Sequence, residues 1–280
     1  MRIQMQENNV YMMENEQEAR RLDIKTDEDA VRSQASWCGI GSGMRVLDVG
    51  CGSGHTTAVL HAITGAEGET VGVDFSEDRL AYAREHFGQK KGIRFVCADF
   101  TQPMNDLGEF DVIWVKFVLE YFLDGAKGIV ENLTSCLKPD GVLCLLDLDY
   151  NCLSHYQLPE GMDEVLQASM RRMMQAFNFD PFVGRKLYSF LYDLGYRAIE
   201  LELRAHHLIY GPLNEVDAFN WTKKIEMACV NAPDLFDPYP GGYEAFLSDF
   251  KTFAYDPRRF TYTPLIMCKG KRPDKDHVGR

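Results

Sequence analysis

Between residues 45 and 148, short apolar runs alternate with stretches of helical periodicity, and this order predicts repeated strand–helix–strand units. Val46, Leu47 and Val49 form the first run, and after Gly50, Gly52 and Gly54 the residues from Thr56 to Ile63 read as a helix. The second strand, Glu69 to Val73, ends in Asp74. Ser76 caps a helix through Leu80, Ala83 and Phe87 that Gly88 closes. The third strand, Ile93 to Ala98, ends at Asp99-Phe100, and the fourth, Phe110 to Val115, leads into Lys116-Phe117-Val118-Leu119-Glu120-Tyr121. Ile129, Val130, Leu133 and Leu137 share a helical register, and Lys138-Pro139-Asp140-Gly141 turns the chain into a fifth strand, Val142 to Leu148. Strands at this spacing call for a parallel, doubly wound sheet with helices on both faces.

The flanks are less regular. Residues 1 to 9 are polar. Asn15 with Glu18 three residues on is a capping-box signal for a short helix carrying Ala19, Leu22 and Ile24. A second helix, from about Thr26 to Cys38, sets Val31, Ala35 and Cys38 on one face; these two helices either cover a ligand or pad the sheet. After the fifth strand, Asn151 to Gly161 reads as a loop, Met162 to Phe177 and Leu187 to Leu194 as amphipathic helices, and Tyr196 to Arg204 as a half-exposed strand with Ile199, Leu201 and Leu203 on one face. Residues 211 to 257 read as a helical insertion, with Ala218, Trp221, Ile225 and Ala228 on one helix and Tyr243, Phe246 and Phe250 on another. Phe260 to Lys269 returns as a strand whose Thr263-Pro264 demands an edge position or a bulge. The expected organisation is a helical cap over 1–42, a core over 43–210 and 258–271, a lid over 211–257 and a flexible tail over 272–280.

The apolar fraction of 45% supplies a full core in 280 residues. A net charge of -12 argues against nucleic acid and anionic membrane as partners, since phosphate contacts need a basic surface. With no apolar leader and no run long enough to span a bilayer, a cytoplasmic location is expected. The eight cysteines are scattered without a C-x-x-C pair, which favours reduced, buried thiols and no metal site.

The chemistry centres on Asp48-x-Gly50-x-Gly52-x-Gly54, a strand running into a glycine loop and then the exposed N–H groups of a helix. A dinucleotide fingerprint has a different glycine spacing and no need of the acid. Asp74, at the next strand's carboxyl end, is placed to take ribose hydroxyls, and Asp99 beside Phe100 suits an adenine amine and ring face. This order, completed by Phe110-Asp111 and Leu137-Lys138-Pro139-Asp140-Gly141, resembles the class I S-adenosylmethionine-dependent methyltransferases over residues 43 to about 205 and at the last strand.

That resemblance implies an α/β fold with a seven-stranded sheet, its last strand antiparallel and inserted. It implies S-adenosyl-L-methionine as cofactor, leaving as S-adenosyl-L-homocysteine, with Asp48, Gly50, Gly52, Gly54, Asp74, Phe75, Asp99, Phe100 and Lys116 around it. Tyr11 and Glu18-x-x-Arg21-Leu22 look like the front of a bacterial small-molecule subgroup, in which Tyr11 and Arg21 reach the methionine end of the cofactor. The alternative for Arg21 is an ion pair with Glu14, Glu16 or Glu18. Many relatives carry histidine where this chain has Tyr121, which leaves the proton acceptor open among Tyr121, His155, His206 and His207; His55 either points into the pocket or opens its helix. The function implied is in-line methyl transfer to an O, N or C nucleophile of a small molecule, by a monomer or homodimer. An arsenite methyltransferase using Cys38, Cys152 and Cys229, and a regulatory module that binds the cofactor without turnover, are the alternatives. The aromatic residues of the lid make either its own core or an apolar acceptor pocket.

Overall fold

A single mixed sheet organises the computed structural model, which describes residues 18–151, 153–213 and 233–273. Its strands are β1 Arg45–Val49, β2 Glu69–Asp74, β3 Ile93–Cys97, β4 Phe110–Lys116, β5 Leu137–Leu148, β6 His155–Tyr156, β7 Arg197–Tyr210 and β8 Phe260–Lys271. The helices are α1 Glu18–Lys25, α2 Glu28–Cys38, α3 His55–Thr64, α4 Glu77–Phe87, α5 Ala126–Thr134, α6 Met162–Phe177, α7 Leu187–Asp193 and α8 Gly242–Tyr255. The first five strands are parallel in the order β3-β2-β1-β4-β5. β8 then runs antiparallel between β5 and the edge strand β7. The expected seven strands and inserted antiparallel strand are therefore present, and β6 adds an eighth that pairs two residues with β8. The strand order reverses between β1 and β4, where an open α/β sheet forms its ligand crevice.

Apolar residues on the two faces form separate cores. On one, Val31, Ala35 and Cys38 of α2 and Val59 and Leu60 of α3 pack on Trp114, Cys144 and Met267. On the other, Ile129, Val130 and Leu133 of α5 and Leu187 and Leu191 of α7 pack on Ile113, Val115, Leu143 and Leu145. A third core joins Phe236 and Phe246, Phe250 and Phe253 of α8 to Met162, Val165 and Leu166 of α6. The residues expected to form a lid thus pack with α6, which the sequence assigned to the core. The helix expected around Trp221, and with it Phe219, lies outside the described residues.

Several local expectations change. Lys138-Pro139-Asp140-Gly141 is a bulge inside β5 and not a turn before it, because Leu137 already pairs with Phe110 and the ladder resumes at Val112 and Val142. The loop from 151 to 161 contains β6. Pro264 is not on an edge strand: it pairs with Ala205 where the β7 register shifts before His207, so the bulge reading of Thr263-Pro264 is the one found. Leu201 and Leu203 lie on the face expected for them, yet they are 51% and 67% exposed. Arg272, expected in the tail, is fixed to the core: its N–H donates to Gly141 O at 2.8 Å and its guanidinium reaches Leu137 O and Glu109.

Candidate active site

The chain leaves β1 through three left-handed glycines, Gly50 (φ 71°), Gly52 (φ 53°) and Gly54 (φ 81°). Gly50 and Cys51 N–H groups donate to Val73 O at 2.8 and 2.9 Å, which ties the loop to β2. Gly54 is the N-cap of α3 and no side chain caps it, so the helix offers its first N–H groups and the positive end of its dipole to the loop.

Asp48 lies beneath the loop, buried, and accepts from Thr57 Oγ1 at 2.6 Å. Burial pushes its carboxyl up to about 7, against the opposing pull of the Thr57 hydroxyl and the Lys116 ammonium. Burial likewise pushes Lys116 down to about 8, with Asp48 pulling it back. An Asp with a raised folded pKa binds its proton more tightly in the folded chain, so its contribution to stability is full below 3.8 and is lost as pH rises through about 7. Lys116, with a lowered folded pKa, contributes above 10.5 and loses that contribution as pH falls through about 8. Urea unfolding of Asp48→Asn between pH 4 and 7 is therefore expected to lack a decline of up to about 1.4 kcal/mol per pH unit that the wild type shows. Parallel curves for the two proteins would place the titration elsewhere.

Asp74, at the end of β2, is held from four directions. Its Oδ2 accepts from Gly52 N at 2.9 Å, and its Oδ1 accepts from Ser76 N at 2.9 Å and from Arg79 Nη2 and Nε at 2.8 and 3.1 Å. Arg79 escaped the sequence reading because a charged residue beside Leu80 on α4 reads as solvent-facing; it is buried with Asp74. Asp99 is half-buried at the end of β3 and accepts from Thr101 N at 2.9 Å and Thr101 Oγ1 at 2.5 Å. Phe100 departs from its expected role. At 2% exposure its ring is packed between Phe75, 4.1 Å away, and Phe122, 5.9 Å away, and presents no face to a base. Phe75 is the more exposed of the pair.

The two N-terminal helices divide the alternatives between them. α2 pads the sheet, whereas α1 lies over the glycine loop, with Leu22 Cδ1 2.9 Å from where a Cβ on Gly52 would stand. His55 joins α1 and α2 to α3 through Asp23 Oδ1 at 2.7 Å and Glu28 Oε1 at 3.1 Å, so it braces the cap. Arg21 grips Glu18 with two bonds of 2.7 Å, the ion pair that was the alternative to a cofactor contact. Tyr11 lies outside the described residues.

Beyond β4, Phe117 takes a left-handed backbone (φ 58°) and its ring stands 4.8 Å from that of His206. His207 and His155 bond through Nδ1 to Thr263 Oγ1 at 3.2 Å and Thr261 Oγ1 at 2.9 Å. Tyr121 packs edge-on to Phe179 at 5.7 Å. His206 is thus the candidate base set beside the end of β4, while His155, with Ile209, Phe250, Phe253, Arg259 and Thr261, lines a small cleft beside α8. Asp147 was missed: buried, it accepts from Leu119 and Glu120 N–H groups at 2.9 and 3.2 Å, and burial beside Glu120 raises its carboxyl well above the ordinary range. An acid inside the apolar run of β5 was the available signal. Cys38, offered as an arsenic ligand, is packed in the core beside Cys144; Cys152 and Cys229 lie outside the described residues.

The model of the family described as "Methyltransferase domain" matches residues 40–193. Over 108 residues the chain is 33% identical to the demethylmenaquinone methyltransferase of Staphylococcus aureus, covering 38% of this chain and 44% of that protein. The chain thus matches less than half the length of this curated relative. Among solved structures, YcgJ of Bacillus subtilis superposes with a TM-score of 0.55 at 17% identity, covering 89% of this chain and all of YcgJ (100%). The phosphoethanolamine N-methyltransferase 2 of Haemonchus contortus, solved with phosphomonomethylethanolamine and S-adenosylhomocysteine, gives 0.54 at 16%, covering 88% of this chain and 53% of that one. These two share the fold. The family match spans β1 through α7, including the glycine loop and the acids at the ends of β2 and β3, and the chain belongs to the class I S-adenosylmethionine-dependent methyltransferases.

Proposed function

We propose that this protein transfers the methyl group of S-adenosylmethionine to an oxygen, nitrogen or carbon nucleophile of a small-molecule acceptor by in-line displacement. The observation that carries this reading is the convergence of the three left-handed glycines with Asp48, Asp74 and Lys116 at the carboxyl ends of adjacent strands. The glycine loop and the uncapped α3 N-terminus fit the aminoacyl end of the cofactor, Asp74 its ribose and Asp99 its adenine amine. When bound, the cofactor supplies a methyl group already activated on a positively charged sulfur.

The protein's share of the work is then orientation and exclusion of water. Leu22 and the rest of α1 close over the loop. Arg79 and Gly52 fix the plane of the Asp74 carboxylate. His206, beside Phe117 at the end of β4, takes the acceptor's proton where the acceptor has one to lose. The net charge of -12 favours a small-molecule acceptor over nucleic acid.

A panel of small-molecule nucleophiles incubated with the protein and tritiated methyl donor is expected to yield at least one labelled product, and His206→Ala to slow that transfer without weakening cofactor binding. Cofactor binding by calorimetry with no labelled product from any nucleophile class would instead favour a module that binds without turnover.

A further inference from the structure

Strand β7 is the edge of the sheet, and among the described residues its outer side has no partner strand. One face of it is apolar and uncovered: Leu201, Leu203, Leu208 and Tyr210 are 51%, 67%, 54% and 67% exposed. On β8, Tyr262 and Phe260 stand opposite Leu208 and Tyr210 on the same face and are 42% and 41% exposed. From Leu201 to Tyr210 the stripe runs roughly 30 Å at strand rise. A row of exposed apolar side chains marks a surface for contact with another protein, and an open strand edge beside it is a template for pairing. The middle of β7 has no proline or lysine, and its register shifts only before Glu200 and after Ala205, so the edge between them is regular and its charges lie on one face.

The charges on the opposite face of the same segment say what fits that edge. For two copies of β7 joined antiparallel about a twofold axis perpendicular to the sheet, residues facing each other share a face, so the axis passes through a residue position. Four positions in the regular stretch have regular neighbours on both sides, Leu201, Glu202, Leu203 and Arg204. An axis at Leu201 sets Glu200 against the partner's Glu202. An axis at Arg204 sets two arginines directly opposite, and an axis at Glu202, although it sets Glu200 against the partner's Arg204 twice, presses two Glu202 carboxylates together at its centre. Only an axis at Leu203 sets Glu202 against the partner's Arg204, and it does so twice. In the same register Leu203 meets the partner's Leu203 and Leu201 meets the partner's Ala205, which joins the two apolar stripes into one. Arg204 already reaches Glu202 Oε1 at 2.5 Å within its own chain, so its guanidinium lies on the face where the partner's Glu202 would arrive.

We infer that the protein forms a homodimer in which the β7 strands of two copies pair antiparallel about Leu203, continuing the sheet from one chain into the other. This does not depend on the acceptor or on the candidate base.

Sedimentation equilibrium at tens of micromolar and physiological salt tests it. The wild type is expected at twice the 32.0 kDa of one chain. Glu202→Arg, which opposes two arginine pairs across the axis, should raise the dissociation constant roughly tenfold or more. Leu203→Lys should give a monomer. The double variant Glu202→Arg, Arg204→Glu restores opposite charges at both positions and should return the dimer, which a variant that merely misfolds would not do; far-ultraviolet circular dichroism follows the fold throughout. A wild type at 32.0 kDa across the range, a dimer indifferent to Leu203→Lys, or a charge swap that leaves the protein monomeric would each overturn the inference.

Discussion

Asp74→Ala is expected to weaken S-adenosylmethionine binding by at least about a hundredfold and to destabilise the protein at the same time. A hydrogen bond to a charged acceptor contributes roughly 1.5 to 3 kcal/mol, and a ribose presents two hydroxyls to the one carboxylate. The second effect comes from Arg79. Its side chain is 10% exposed and that of Asp74 5%, so the variant breaks a buried ion pair, a change that costs up to about 3 to 5 kcal/mol in comparable pairs. The two effects separate in a double variant. Asp74→Ala with Arg79→Met removes both charges of the buried pair and should recover part of the stability, while the affinity, measured by calorimetry on the folded protein, stays low. If the double variant regained cofactor affinity, the acid at the end of β2 would be serving the loop through Gly52 N and not the ribose. The single variant is also expected to loosen the loop itself, because Asp74 is what holds Gly52 N–H.

How much of this was legible in the sequence depends on whether the determining contact is local. β1, β2 and β4 are buried on both faces, so Val46-Leu47, Val71 with Val73, and Val112 to Val115 give the short apolar runs that mark them. Ser76 announced α4 because capping is a contact over three residues, and the structure has that bond to Arg79 N. The spacing of Asp48, Asp74 and Asp99 marked three strand ends because each acid lies within two residues of the last residue of its strand. What stayed hidden are contacts that a residue's type does not announce or that come from elsewhere in the chain. Arg79 is on α4 and folds back to a strand end five residues earlier, which its polar type does not reveal. Phe100 follows Asp99 directly and so reads as a neighbour of the same ligand, but alternation at the strand end turns its ring into the core against Phe122, from another part of the chain. β6 has only two residues and exists because β8 extends past β5 to receive it. Leu201 and Leu203 show the reverse case. Their alternation correctly named a shared face, but periodicity carries no information on whether anything covers that face.

Gly54→Ala is expected to cost about 2 to 5 kcal/mol of folding free energy and to abolish cofactor binding at ordinary concentrations, although the change adds only a methyl group. Two terms add. At φ 81° an alanine meets its own backbone, at about 1 to 2 kcal/mol. In addition its Cβ would stand 2.7 Å from Ala83 Cβ and 2.7 Å from the Phe95 ring, and overpacking of this kind costs about 1 to 3 kcal/mol. Neither neighbour can yield cheaply, since Ala83 is fully buried on α4 and Phe95 is buried on β3 in the same small core as Leu80 and Cys51. Gly39→Ala supplies the control: Gly39 has nearly the same φ, 82°, at the end of α2, but nothing lies within 4 Å of its added Cβ, so only the backbone term should appear. Gly50→Ala lies between the two, because its Cβ meets one methyl of Val118 and the partner change Val118→Ala should recover part of the loss. Urea unfolding of these variants would rank them Gly54 above Gly50 above Gly39. An equal cost at Gly54 and Gly39 would mean that α4 and β3 do not press on the loop from behind. A larger cost at Gly54 would mean that the glycine spacing is set by the protein's own packing as much as by the approach of a ligand, since the atoms that exclude a side chain there belong to α4 and β3.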